Sequence, residues 1–209
     1  MRKLVFTAVW MAITSVAAVA QQTWFEFDAS RKLGERWEIS LAPELRFDED
    51  FKLDEYFIEP GAEYKFRDYF ALGASYRLGS DRNKKGEDRW FGRFAFDAKT
   101  GYKWNNLQAK LRFRHTNSDD FTEDERTSYF RVKFDLEYAI QKLNLEPYAA
   151  YEIYHDLDAG ELNKARWESG LQYKINKQHR VGAYFRLNDY LHSDKESIRI
   201  IGLSYKFKW

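Results

Sequence analysis

The 209-residue sequence contains no cysteine, three prolines and two methionines. The missing cysteine excludes disulfide frameworks, thiolate metal sites and cysteine nucleophiles together. Both methionines, Met1 and Met11, fall in the opening segment. Charge of one sign is also lacking: 34 basic residues stand against 33 acidic ones, a formal net charge of +1, which excludes the basic footprint of a typical nucleic-acid binder. Past the opening segment no apolar run approaches the roughly 20 residues that a membrane-crossing helix needs, so a helical membrane bundle is excluded too. What is abundant is aromatic side chains, at 18%, beside 32% charged residues and a mean hydropathy of −0.71. Aromatics at that level with so little proline argue against disorder and favour strands.

Met1 to Ala20 begins with Arg2 and Lys3, continues as an apolar stretch from Leu4 to Val19, and closes on Ala18-Val19-Ala20. This is the pattern of a secretory signal peptide, expected to be cleaved after Ala20. No cysteine follows to accept a lipid anchor. Cleavage removes two of the basic residues and turns the formal charge from +1 to −1. The mature region, 21–209, reads as one domain.

From Gln21 onward apolar residues recur with period two, the signature of a strand with two unlike faces. Trp37, Ile39, Leu41, Pro43, Leu45 and Phe47 share one face; Glu38, Ser40, Ala42, Glu44 and Arg46 share the other. Trp90, Phe94, Phe96, Ala98, Tyr102 and Trp104 oppose Arg93, Asp97, Lys99 and Lys103, and Phe130, Val132, Phe134, Leu136 and Tyr138 oppose Arg131, Lys133, Asp135 and Glu137. The same division continues to Ile201, Leu203, Tyr205, Phe207 and Trp209. These strands run about 10 to 13 residues, the length a tilted strand needs to cross a bilayer and longer than the usual strand of a soluble sheet. Tight turns at 67–68, 105–106, 141–142 and 176–178 alternate with longer polar loops at 48–54, 79–89, 116–128, 155–164 and 189–197, an asymmetry typical of outer-membrane barrels.

A soluble barrel would have to enclose the aromatic ladders of every strand, too much volume for a small closed barrel. Turned outward, the aromatics form two girdles. Trp104, Tyr138, Tyr173, Phe66 and Trp209 lie by the short turns, and Phe47, Trp90, Phe113, Phe130 and Trp167 by the long loops; Trp37 belongs to the same outward face. The expected fold is therefore all-β, an antiparallel up-and-down transmembrane barrel. Ten strands from Trp37 to Trp209 are favoured because bacterial barrels have even strand numbers, and twelve are possible. That parity leaves residues 22–30 as a separate segment or part of an extra pair. Pro43, Pro60 and Pro147 sit inside strands and call for local bulges.

The last strand, Leu203, Tyr205, Phe207 and Trp209 alternating with polar residues, resembles the terminal signal read by the outer-membrane assembly machinery. The mature chain also resembles a family of small Gram-negative outer-membrane barrels known only as a domain of unknown function, on Trp24, PELRF at 43–47, DEYFIEPGAEYKF at 54–66 and YRLG at 76–79. The resemblance implies a location in the Gram-negative outer membrane, in contact with the lipid bilayer and lipopolysaccharide. It carries no catalytic or binding residue.

Facing the lumen are Glu38, Glu44, Glu55, Glu59 and Glu63 on two adjacent strands, and Arg93, Lys99, Lys103, Lys110, Arg112 and Arg114 on two later ones. Charges in a narrow lumen must be paired or hydrated. They either form cross-lumen ion pairs that plug and stiffen it, or line a narrow pore with a slight preference for anions. An envelope hydrolase at the outer rim is the alternative. His115 with Thr116 and Ser118, His155 with Asp156, and His192 with Ser193 and Asp194 lie at loop ends, whereas His179 lies by a short turn. Consecutive residues rarely converge as a triad. The acidic loop Asp119, Asp120, Glu123, Asp124 and Glu125 matches no calcium-loop spacing and reads as a solvated charge run. No phosphate loop, HExxH pair or cofactor motif is present.

Overall fold

A computed structural model of the chain describes residues 20–82, 86–120, 126–192 and 195–209; the leader, Met1 to Val19, lies outside the described residues. Eleven strands close into one barrel: β1 (Gln22–Leu33), β2 (Trp37–Phe47), β3 (Leu53–Arg67), β4 (Phe70–Arg82), β5 (Asp88–Trp104), β6 (Leu107–Asp120), β7 (Arg126–Tyr138), β8 (Leu145–Asp156), β9 (Glu161–Lys174), β10 (His179–Tyr190) and β11 (Ile198–Lys208). A single 3-10 turn, Gln141–Leu143, interrupts the strand order, and no helix of the described residues is long and apolar enough to cross a membrane. From 11 to 17 residues long, all of these strands exceed the soluble norm of about 5 or 6.

Neighbours in sequence pair antiparallel throughout, and the barrel closes where β1 runs parallel to β11, from Gln22 beside Ile200 to Ser30 beside Lys208. This corrects the expectation of ten or twelve strands. Residues 22–30 are not a detached segment but most of β1, which pairs with β2 on one side and β11 on the other. An odd number of up-and-down strands makes the first and last point the same way. β1 therefore starts at the long-loop rim while β11 ends at the short-turn rim. The physical reason is edge closure. Without β1, one side of β2 and one of β11 would expose rows of unpaired N–H and C=O groups. Parity statistics carry no such energy.

The prolines need no bulge of their own. The β1–β2 ladder breaks between the pairs Glu26/Glu44 and Ala29/Leu41, opposite Pro43. The β3–β4 ladder breaks between Ile58/Leu78 and Gly61/Ser75, opposite Pro60. Within the β2–β3 hairpin, by contrast, Pro43 pairs with Ile58 and Pro60 with Leu41 without interruption. Pro147 lies just past the last β7–β8 pair, Glu137/Tyr148. Each missing donor thus falls where a ladder is already open. The register shifts lie elsewhere, at Arg46/Phe47, Lys65/Arg67 and Tyr154/His155.

The closing seam has a direct test, since the chain has no cysteine to interfere. Phe25 and Leu203 are register partners, within reach of a disulfide if replaced by cysteine. The double variant Phe25→Cys, Leu203→Cys should crosslink under mild oxidation, read as a mobility shift on non-reducing gels. An uncrosslinked folded variant would sink the eleven-strand closure.

Candidate functional site

Period-two alternation puts one face of every strand into the lumen, and charged side chains occupy most of those positions. At mid-height they join in a belt. Arg77 of β4 donates to Glu59 of β3 (2.7 Å), which also accepts from the Ser75 hydroxyl (2.9 Å). Arg114 of β6 lies 3.6 Å from Glu59 and grips Asp97 of β5 with two parallel bonds of 2.7 and 2.6 Å. Arg112 sits 3.9 Å from Asp97 and donates to Glu152 of β8 at 2.8 Å. Glu152, only 1% exposed, also accepts from Arg131 of β7 (3.0 Å) and from the Tyr154 hydroxyl (3.0 Å), with Arg166 of β9 at 3.7 Å. Arg166 reaches on to Asn188 of β10 at 2.8 Å. Bidentate and charge-assisted bonds of this kind are the strong ones in a protein interior.

A second cluster is built around Trp24 of β1, which is 3% exposed. The guanidinium of Arg46 lies 3.7 Å from its ring and that of Arg186 4.7 Å, both in cation–π range. Arg46 pairs with Glu44 at 2.6 Å and with Glu55. Arg186 pairs with Glu168 at 2.7 Å and with Glu26 of β1 at 3.0 Å, and the Tyr184 hydroxyl also donates to Glu26. Tyr184 lies over Gly202 so closely that a Cβ there would sit 1.9 Å from its ring. Only glycine lets β11 pass beneath the tyrosine.

The belt divides the lumen. On its long-loop side is a cavity of about 360 Å³ whose cationic lining includes Arg46, Arg77, Arg93, Arg131, Lys164 and Arg166. It shares Arg93, Arg131 and Lys164 with an adjoining space of about 390 Å³ that extends to Tyr190 and His192. On the short-turn side is a cavity of about 260 Å³ whose charged lining includes Asp28, Glu38, Glu63 and Lys99.

Of the residues singled out from sequence, Glu59, Arg112 and Arg114 meet in the belt, and Glu44 and Glu55 meet Arg46. Glu63 pairs with Lys99 at 2.8 Å, Lys110 with Glu137 at 2.8 Å, and Glu38 with Lys65 at 3.6 Å. Arg93 has no carboxylate partner among the described residues, and Lys103 is exposed at the short-turn rim. Trp37, Trp90, Trp104, Trp167 and Trp209 stand on the outer face, 51, 48, 67, 56 and 47% exposed. Near the long loops Phe25, Phe47 and Phe51 cluster, and Tyr151 packs at a tilt against Trp167; near the short turns Trp37, Tyr64 and Phe66 form a chain, as do His179, Phe207 and Trp209.

Sequence reasoning put Asp97, Arg131 and Glu152 on polar strand faces without giving them a site role, named Trp24 only for the family resemblance, and did not name Arg186. Asp97, Arg131, Glu152 and Arg186 lie in the polar phase of their strands, and that phase was the available signal. Trp24 is fixed by its neighbours, because Phe27 faces outward at 44% exposure and Trp24 is three residues away, in the opposite phase. Among the histidines, His179 Nδ1 lies 2.6 Å from the Tyr205 hydroxyl, while His115 and His155 are on the outer face. Ser193 and Asp194, and the acidic run at 121–125, lie outside the described residues, and no group of metal-ligating side chains occurs among those described. In the loop before β3, Asp48 accepts backbone N–H bonds from Asp50 and Lys52, and Asp50 beside the Lys52 ammonium raises its proton affinity above the ordinary value.

An all-strand closed barrel with an apolar exterior and a charged, belted lumen is the class of protein defined here. The chain belongs to the family described as protein of unknown function (DUF2490), whose model matches residues 21–197. No curated protein matches it. Among solved structures it is similar to a loop-deletion mutant of OmpT, an outer membrane protein of Vibrio cholerae, with TM-score 0.47 and 15% identity over 84% of this chain and 60% of that one. It is similar also to the in-vitro folded OmpT of that organism (TM-score 0.44, 15% identity, 76% and 52%) and to the outer-membrane expressed form (0.43, 14%, 74% and 54%). The chain thus spans between half and three fifths of the length of these structures.

Removing the Glu152 carboxylate strands Arg131 and Arg166 as buried charges without a carboxylate and leaves Arg112 with Asp97 at 3.9 Å. Glu152→Ala should lower the unfolding free energy by about 3–5 kcal/mol, measured by urea titration of the refolded barrel. Lys52→Ala, which breaks an exposed pair with Asp50, should leave the unfolding midpoint essentially unchanged.

Proposed function

We propose that this protein is exported, loses its leader after Ala20 and resides in the outer membrane of a Gram-negative bacterium as a non-conducting barrel. Its apolar and aromatic face contacts the lipid bilayer and lipopolysaccharide. Its short turns face the periplasm, and its last strand, through Leu203, Tyr205, Phe207 and Trp209, is read by the outer-membrane assembly machinery. The support for the membrane placement is the exterior. Phe94, Phe96, Phe134, Trp167 and Leu171 are 53, 58, 47, 56 and 44% exposed on the outer faces of β5, β7 and β9, and an apolar surface of that extent is stable only against lipid or a partner.

The observation that carries the functional reading is the continuous belt from Arg77 to Arg166, which ties the lumen shut at mid-height. An open pore needs a continuous aqueous path, whereas here carboxylates and guanidiniums from β3 through β9 meet at separations between 2.6 and 3.9 Å. The role that fits is that of a structural or ligand-binding barrel without cofactor, presenting a charged chamber at the long-loop rim. A narrow anion-preferring channel remains the reading that the same lining residues would serve if the belt opened.

Planar bilayers containing the refolded wild-type chain should stay at the baseline current up to 150 mV; stepwise ohmic conductance would overturn the closed reading. For the membrane placement, Phe134→Arg puts a charge on the outer face at mid-strand and should destabilise the barrel in phosphatidylcholine vesicles by about 2–4 kcal/mol. Leu143→Arg, in the short turn between β7 and β8, should have little effect. Equal responses at the two positions would count against a lipid-facing wall.

A further inference from the structure

The cavity on the long-loop side of the belt holds more positive charge than its own carboxylates balance. Among its lining cations, Arg46 is matched by Glu55, Arg77 by Glu59, and Arg131 and Arg166 share Glu152. Arg93 and Lys164 have no carboxylate within ion-pair distance among the described residues. Arg93 has the edge of the cavity and the Phe91 ring at 5.7 Å; Lys164 is held over the Tyr154 ring at 4.0 Å. Neither is a surface side chain in open water, and both also line the adjoining space toward the rim. An unpaired cation in a low-dielectric site, facing other guanidiniums, is costly unless an anion supplies the missing charge.

The geometry points to a binding site for a phosphate group, the dianionic oxyanion whose oxygens match the planar forks of several arginines, with Arg93 and Lys164 as the two cations that await it. A dianion matches the charge of the two cations that have no carboxylate neighbour, which a chloride ion does not. Arginine recognises phosphate through paired N–H donors and lysine as a point charge. A space of about 360 Å³ is at the lower end of small-ligand sites, so it admits a phosphate and part of what carries it. Phe91 and, in the adjoining space, Tyr129 and Tyr190 add aromatic side chains to the lining around that remainder. The carrier can be a soluble phosphoester entering at the long-loop rim or a phosphorylated lipid headgroup reaching over it. The site depends on the cavity and its charges and not on the membrane placement, so the two stand or fall separately.

The test uses the mature chain refolded in zwitterionic detergent, with folding verified by the β-sheet circular dichroism signal and heat-modifiable gel mobility. Inorganic pyrophosphate is titrated calorimetrically in 100 mM sodium chloride, and micelles doped with phosphatidic acid form the second arm. Saturable binding of pyrophosphate, weakened at least tenfold in Arg93→Gln, Lys164→Gln and unchanged in Lys142→Gln at the opposite rim, supports the site and a soluble source. Saturation by phosphatidic acid alone, with the same loss in the double variant, supports the site and a lipid source. A second readout guards against misfolding. Each single variant, Arg93→Gln and Lys164→Gln, should keep or raise the unfolding midpoint without ligand, and should lose the upward shift that pyrophosphate gives the wild type. No saturable binding in either arm, binding undiminished in the double variant, or binding no stronger than that of chloride would overturn the proposal.

Discussion

The whole structure depends on the pairing of β1 with strands on both of its sides. A sheet of ten antiparallel strands from Trp37 onward would leave one side of β2 and one of β11 without hydrogen-bond partners, and no loop of the described residues covers either edge. β1 supplies both at once, antiparallel to β2 and parallel to β11. Parallel pairing is slightly weaker per residue than antiparallel. The alternative is two open edges, which in hydrocarbon would leave every second backbone group unsatisfied. The same strand carries Trp24 and Glu26 into the lumen, so the seam is fastened twice: by its ladder, and by Arg46 and Arg186 reaching Trp24 and Glu26 from its flanks. Gly202 and Tyr184 fit around this contact, because β11 can lie close to the tyrosine ring only where it has no side chain.

Closure sets the problem that the lumen then solves. An eleven-stranded wall is wider than a small barrel filled by ordinary side chains, and the interior positions occupy that width with paired charge. Long arginines do so. Each spans from its own strand to carboxylates one, two or three strands away, as Arg114 does to Asp97 and Glu59, and Arg112 to Glu152. Buried ion pairs give little net stability compared with apolar packing, but breaking one leaves an uncompensated charge. Their contribution is therefore to hold one arrangement of the interior rather than to deepen the free energy of folding. The orphan Nε of Arg112, buried without a hydrogen-bond partner, shows that the geometry of this packing is a compromise between fit and bonding.

The two faces of the wall were legible in the sequence because period two is a local property: Phe94 and Phe96 against Arg93 and Asp97 require nothing beyond the pleat. The positions of the turns were legible for the same reason. The strand number was not, because whether Trp24 to Ser30 joins the wall depends on a partner 178 residues later, and the even-number habit of bacterial barrels argued the wrong way. Local reading also mistook the prolines. It asked each strand to accommodate its own missing donor, whereas Pro43 and Pro60 each direct theirs toward a gap in the neighbouring ladder. In the candidate site, alternation sorts Glu59, Arg112 and Arg114 onto the polar face but cannot say that Arg114 will choose Asp97 rather than a residue across the lumen. That choice is made by stagger between strands, which no single strand encodes. Trp24 is the clearest case: an aromatic in a sequence where aromatics face out, turned inward by its phase and kept there by the guanidiniums stacked on it.

Near-neutral composition conceals how unevenly charge is distributed along the barrel axis. Above the belt, the lining of the larger cavity is dominated by guanidiniums, with Glu55 and Asp81 as its only carboxylates among the described residues. Below it, Asp28, Glu38, Glu59, Glu63 and Asp97 face one lysine and two arginines. The belt joins these halves, since Arg112 and Arg114 belong to the lower lining while Arg77 and Arg131 belong to the upper. Charge separated in this way makes a poor passage for either sign. An anion drawn into the upper chamber meets carboxylates on the far side of the belt, and a cation admitted from below meets arginines, each in a narrow space where the field is weakly screened. The same asymmetry makes the upper chamber an efficient end point for an anion. In the proposed closed barrel, steric closure and electrostatic polarity would therefore act in the same direction, favouring capture at one rim over transit between the two.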